Sequence, residues 1–233
     1  MGRRIFAEFL GTAMLVAVVV GSGIMAANLT TDVGVQLLIN ALATAAGLGV
    51  LIWVLGPISG AHFNPAVTLV AVTRREIAPL EAGGYVVLQI IGAVAGATLA
   101  NLMFSLPAWS ESTRDRASGG LWIGEIVATA GLLLVIGAIT RTGHAHLGAV
   151  LVPAWIGAAY FFTASTSFAN PAVTVGRAFS DTFAGISPAS VLPFIGFQLI
   201  GAAIGAALTE VLYPRKTPAP LDLPEPVHQT RSA

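Results

Sequence analysis

The chain has no cysteine. That excludes disulfides, thiolate metal sites and cysteine nucleophiles. Charge is nearly as scarce. Only 9% of the 233 residues are Asp, Glu, Lys or Arg, where soluble domains average about 25%. So few charges do not cover a water-facing surface, and much of this surface must face lipid. The charges sum to zero, with no basic block and no arginine–aromatic interleaving. Nucleic acid is therefore not an expected partner. No zinc-type His/Asp/Glu cluster, nucleophile–base pairing or phosphate loop stands out, so neither a metal, a cofactor nor an enzyme is expected.

What the chain has is apolar sequence, 55% of its residues. A transmembrane helix needs roughly 20 mostly apolar residues. Six stretches qualify, at about 5–27, 35–56, 82–104, 121–140, 147–165 and 190–212. Two more, 64–73 and 170–179, are too short, and each follows an Asn-Pro pair. The first span sits behind Arg3 and Arg4 as a signal peptide would. It also carries Glu8 within the apolar run, with a counterpart in the second half, so it reads as a retained span. The positive-inside rule places Arg3, Arg4, Arg74, Arg75, Arg141, Arg215 and Lys216 in the cytoplasm, against Arg114, Arg116 and Arg177 outside. Both termini are then cytoplasmic. Residues 1–213 form one channel-like domain, and 214–233, with five prolines, read as a disordered cytoplasmic tail.

The chain also repeats itself. Asn64-Pro65-Ala66-Val67-Thr68 recurs letter for letter as Asn170-Pro171-Ala172-Val173-Thr174. Gln89, Gly92, Ala93, Gly96 and Ala97 recur at the same spacing as Gln198, Gly201, Ala202, Gly205 and Ala206. Glu8 and Thr12 are mirrored by Glu125 and Thr129. The repeats run over about 1–110 and 118–213, with three full spans each. Three is odd, so the second half crosses the membrane upside down, about a pseudo-two-fold axis in the membrane plane. A nine-residue helix covers roughly 14 Å, about half of a ~30 Å hydrocarbon core. The two short helices should therefore meet at the midplane by their Asn-Pro ends.

Asparagine is a strong N-cap and proline favours the first helical position. In a soluble protein Asn-Pro would mean no more than a helix start. Here the start lies inside the membrane, where irregular backbone survives only if buried in protein or lining a wet cavity. A water-filled path at the midplane is the economical explanation. The half-helix N-termini, each near +0.5 charge, repel cations and hydrated protons. The asparagine amides offer N–H donors to a passing oxygen. The loops 60–63 and 167–169 can supply carbonyl acceptors. Glu8 and Glu125 are the acids deep within spans. They are either proton carriers of a transporter or buried acceptors for the loops behind each Asn-Pro turn, and their symmetry favours the second role. Gly92 with Gly96 and Gly201 with Gly205 suit close helix contact. Trp109, Trp122, Tyr85 and Tyr213 suit an interfacial aromatic belt.

Six spans, an inverted repeat and twin Asn-Pro-Ala half-helices resemble the aquaporin, or major intrinsic protein, family. The resemblance covers about residues 5–212, and Ser59-Gly60-Ala61-His62-Phe63-Asn64-Pro65-Ala66-Val67-Thr68 carries its first signature. It implies an all-α integral membrane fold in which Asn64, Pro65, Ala66, Asn170, Pro171 and Ala172 form the pore motifs and Glu8 and Glu125 brace the loops. It also implies a homotetramer with one pore per subunit. The second signature departs from the family pattern, which has arginine after the second Asn-Pro-Ala. Here that position is Val173. Counting from the two asparagines puts the other filter positions at Thr44, Ala158 and Ser167, none of them large or charged. The glycerol branch usually has aspartate where this chain has Thr174. Arg177, one turn beyond Val173, either restores charge to the outer vestibule or snorkels outward or pairs with Asp181. By resemblance His62 lines the cytoplasmic mouth, while His144 and His146 read as solvated loop residues.

The expected function is passive diffusion of small neutral solutes across a plasma or inner membrane: water, glycerol, urea, or neutral metalloid hydroxides such as arsenite. A filter without its arginine also makes passage of small oxyanions a variant. The alternatives are a water-selective channel, an ion- or proton-coupled secondary transporter and a junction-type structural protein. Expected partners are membrane lipid and the small solutes themselves.

Overall fold

The computed structural model describes residues 1–215. The six spans fold as α1 (Gly2–Leu29), α2 (Val33–Ser59), α4 (Pro79–Met103), α5 (Gly119–Arg141), α6 (Gly148–Phe162) and α8 (Pro188–Leu212). The short helices are α3 (Pro65–Thr73) and α7 (Pro171–Arg177). A 3₁₀ turn at Ala145–Leu147 leads into α6. Among the described residues there is no strand. Six crossings put both ends of the bundle on one face, here the near side; the connections 104–118 and 163–187 lie on the far side. Of the tail expected from residue 214, all from Lys216 on lies outside the described residues.

Helix contacts follow the repeat. Helix α1 packs on α4 and α2; α5 packs in the same way on α8 and α6. The halves join where α2 meets α6, α4 meets α7 and α3 meets α8. The repeated glycines explain the two tightest pairs. A Cβ at Gly92 would lie 2.5 Å from the Phe9 carbonyl oxygen, and one at Gly96 2.1 Å from that of Ala13. At Gly201 and Gly205 the distances to the Ile126 and Ala130 oxygens are 2.5 and 2.3 Å. Backbone thus touches backbone, the packing that drives helix association where lipid offers no hydrophobic gain. Outward faces are apolar and open, as at Val50, Leu80, Leu192 and Val211.

Two expectations need correction. The fifth span stops at Phe162, three residues early, because Thr163 turns extended and its hydroxyl bonds back to the Ala159 carbonyl at 2.7 Å. Tyr85 is not an interfacial residue. It is fully buried and donates to the Ser59 carbonyl at 2.8 Å, edge-on to His62.

Candidate functional site

The two Asn-Pro ends meet and lock. Asn64 caps α3, its side-chain oxygen accepting from the Ala66 N–H at 2.9 Å. Asn170 caps α7, accepting from Ala172 and Val173 at 2.9 and 3.2 Å. Each amide nitrogen then crosses to the other repeat. Asn64 Nδ2 donates to the Ala169 carbonyl and Asn170 Nδ2 to the Phe63 carbonyl, both at 2.8 Å. An amide nitrogen carries two hydrogens, so one donor per asparagine remains for the cavity that both residues line.

The loops entering these caps are strained in matching places. Ala61, Phe63, Ser167 and Ala169 all have φ between 47° and 54°. Left-handed backbone costs a non-glycine residue roughly 1–2 kcal/mol, so something must hold it. Glu8 accepts four donors: the Ser59 hydroxyl at 2.6 Å, the His62 and Phe63 N–H groups at 3.0 and 2.6 Å, and Gln89 Nε2 at 2.7 Å. Glu125 accepts the Phe168 and Ala169 N–H groups at 3.0 and 2.9 Å and Gln198 Nε2 at 2.6 Å. Gln89 and Gln198 also donate to Thr68 and Thr174, whose hydroxyls bond back to the Asn64 and Asn170 carbonyls. Both acids are fully buried. With the loop N–H groups turned to the acids, the Ala61, His62, Ser167 and Phe168 carbonyls accept no bond from the described protein, and these four residues line the cavity.

That cavity, about 720 Å³, runs from one side of the bundle to the other past both asparagines. On the near side it is bordered by His62, Arg74 and His146. On the far side it is bordered by Thr44, Ser167, Val173 and Arg177. Between these ends Val, Leu and Ile side chains form an apolar wall, including Leu48, Val67, Leu132 and Ile156. His62 Nδ1 lies 3.1 Å from the Thr68 hydroxyl. His144 and His146 are exposed, as expected.

Of the four residues assigned to the narrow part, three line the cavity and Ala158 does not. Ala158 is exposed on the outward face of α6. The inward stripe is Val152, Ile156 and Tyr160, spaced by four. Tyr160 sits where Ala158 was expected, buried, its hydroxyl donating to Thr44 Oγ1 at 3.2 Å. A large side chain therefore borders this end of the cavity, where only small ones were expected. Ser167 Oγ is buried there with no partner. Arg177 neither snorkels nor pairs with Asp181: it is 2% exposed, and Asp181 accepts from Thr113 instead.

Comparison with known proteins agrees with this geometry. The family model described as major intrinsic protein matches residues 1–168. The chain is 48% identical over 206 residues to the aquaglyceroporin AqpS of Rhizobium meliloti (strain 1021), covering 88% of each chain. It is 28% identical over 216 residues to glycerol uptake facilitator protein-like 6 of Lactiplantibacillus plantarum, covering 88% of this chain and 94% of that one. Its fold is similar to the X-ray structure of the aquaglyceroporin from Plasmodium falciparum, with a TM-score of 0.68 at 24% identity over 91% and 95% of the two chains. Six apolar crossings, two half-helices capped at one joint and the matched family model lead to one conclusion: the chain belongs to the major intrinsic protein family, as a multi-pass membrane protein that is a passive channel and not an enzyme.

Proposed function

We propose that this channel passes water together with larger neutral solutes that carry several hydroxyl or amide groups: glycerol, urea and neutral metalloid hydroxides such as arsenite. The observation that carries this reading is Val173, a small apolar side chain bordering the cavity where the family usually places arginine. A solute exchanges its water for the free donors of Asn64 and Asn170 and the open carbonyls of the two loops, against the apolar wall. Thr44, Ser167 and Val173 border the narrowest stretch, and His62 lies at the other mouth. Pro65, Ala66, Pro171 and Ala172 carry the half-helix starts, and Glu8 and Glu125 hold the loops. The similarity to a protein named aquaglyceroporin over 88% of both chains supports the larger solutes.

A homotetramer in the plasma membrane, with both termini cytoplasmic and residues 1–213 as one domain of two repeats, completes the proposal. The exposed apolar helix faces suit both lipid and neighbouring subunits. A water-selective filter is disfavoured by the missing arginine, despite Tyr160.

The test is stopped-flow light scattering on proteoliposomes. Wild type should admit glycerol rapidly. Val173→Arg should slow glycerol by about tenfold or more while water flux falls less, because a long side chain in the path excludes the larger solute first. Water flux with no glycerol permeation in wild type would overturn the reading.

A further inference from the structure

The far end of the cavity has a charge that residue 173 does not supply. Arg177 ends α7, one turn beyond Val173, and borders the same cavity. Its Nε donates to the Ala184 carbonyl. Its guanidinium carbon lies 3.4 Å from the centre of the Phe168 ring, a stacking distance. Phe168 is itself held edge-on by Phe194, centroids 5.1 Å apart, and its N–H is bonded to Glu125. Arg116 lies over the same ring at 4.9 Å, fixed through its Nε to the Gly185 carbonyl at 2.9 Å. Burial, and then the nearby Arg177 and Arg114, pull Arg116 down to about 9. The far mouth therefore carries a concentrated positive field.

Nothing among the described residues neutralises Arg177. It forms no ion pair. Its two terminal nitrogens meet no acceptor, yet neither is sealed in protein, so they open on the cavity. Ser167, next to Phe168 in the chain, borders the same end, with its own hydroxyl buried and unpartnered.

We infer that Arg177, stacked on Phe168, is the charge-determining residue at the far end of the cavity: it bars small cations and presents N–H donors to oxygen-bearing solutes in place of the guanidinium that Val173 does not supply. Both half-helix N-termini add positive potential behind it. The stacking fixes the guanidinium plane with both terminal nitrogens left over, which a flexible lysine would not reproduce. This inference rests on the channel reading above.

The experiment compares wild type, Arg177→Gln, Arg177→Lys and Phe168→Leu in proteoliposomes. Glycerol uptake is read by light scattering, and potassium and proton leak by entrapped dyes. The readout is the ratio of cation to glycerol permeability. Arg177→Gln should raise it about tenfold or more, since a fixed unit charge a few ångströms from a partly dehydrated path exceeds that factor. Arg177→Lys should fall between wild type and Arg177→Gln. A role confined to bracing the loop after α7 would instead move folding and glycerol flux with the ratio unchanged. A folded Arg177→Gln with the wild-type ratio overturns the inference. Should Arg177→Gln not fold, Phe168→Leu is the measure: it frees the guanidinium from its ring, and an unchanged ratio there overturns the inference equally. Wild-type vesicles that pass neither water nor glycerol would count against the channel reading itself.

Discussion

At the residue scale, Glu8 separates a channel from a coupled transporter. Four donors converge on its two oxygens, two of them backbone N–H groups of a strained loop. Glu8→Gln keeps one acceptor and replaces the other with an amide that faces donors. A buried donor left without a partner costs about 1–3 kcal/mol. The variant should therefore melt at lower temperature in detergent, while glycerol flux per folded molecule persists with no response to a proton gradient. Flux that follows a proton gradient in wild type and loses that response in Glu8→Gln would restore the transporter reading. Arg74 shows how little a single position says by itself. The sequence places it on the cytoplasmic side without showing its surroundings: it is 8% exposed, with Nε and Nη2 unpartnered among the described residues.

At the scale of elements, the glycine pairs make a controlled comparison on one helix. Gly96→Ala places a methyl 2.1 Å from the Ala13 carbonyl oxygen, and that oxygen is backbone, so α1 and α4 must separate. Overpacking of this kind costs about 1–3 kcal/mol. Gly83→Ala, also on α4, meets nothing within 4 Å, and should gain about 0.5–1 kcal/mol from helix propensity. Thermal unfolding of the two variants in detergent should move in opposite directions. If Gly96→Ala unfolds like wild type, close backbone packing is not what holds α1 to α4. Elements were also where the sequence was most legible. The Asn-Pro repeats located α3 and α7, and the pairing of Glu8 with Glu125, one per repeat, pointed to both loop braces, since the same residues in the same order make the same contacts. The rotation of α6 was not legible. Between Tyr160 and Asn170 the chain leaves the helix and passes three non-glycine residues with positive φ, Thr166, Ser167 and Ala169. A count back from Asn170 carries no helical phase through such a loop. Hence Ala158 was expected where Tyr160 stands. The Arg177–Phe168 stack was hidden for a related reason: nine residues separate the pair, and only the folded loop joins them.

At the scale of the whole molecule, the direction of insertion follows from the lysines and arginines of the loops. On the near side are Arg3, Arg4, Arg74, Arg75, Arg141 and Arg215, and on the far side Arg114, Arg116 and Arg177. Arg4 pairs with Glu81, and Arg141 with Glu210, but orientation follows lysine and arginine rather than net charge, so those acids change little. The bias still favours a cytoplasmic near side. Because the chain has no cysteine, single cysteines report without background. Glu111→Cys lies in the far-side connection and His144→Cys in the near-side loop after α5, and both positions are exposed. In intact cells a membrane-impermeant maleimide should label Glu111→Cys, and label His144→Cys only after permeabilisation. The reverse pattern would invert the molecule, put the Arg177 mouth in the cytoplasm and leave the pore geometry unchanged. Labelling at both positions in intact cells would mean mixed insertion, which the six-to-three bias among the described residues argues against.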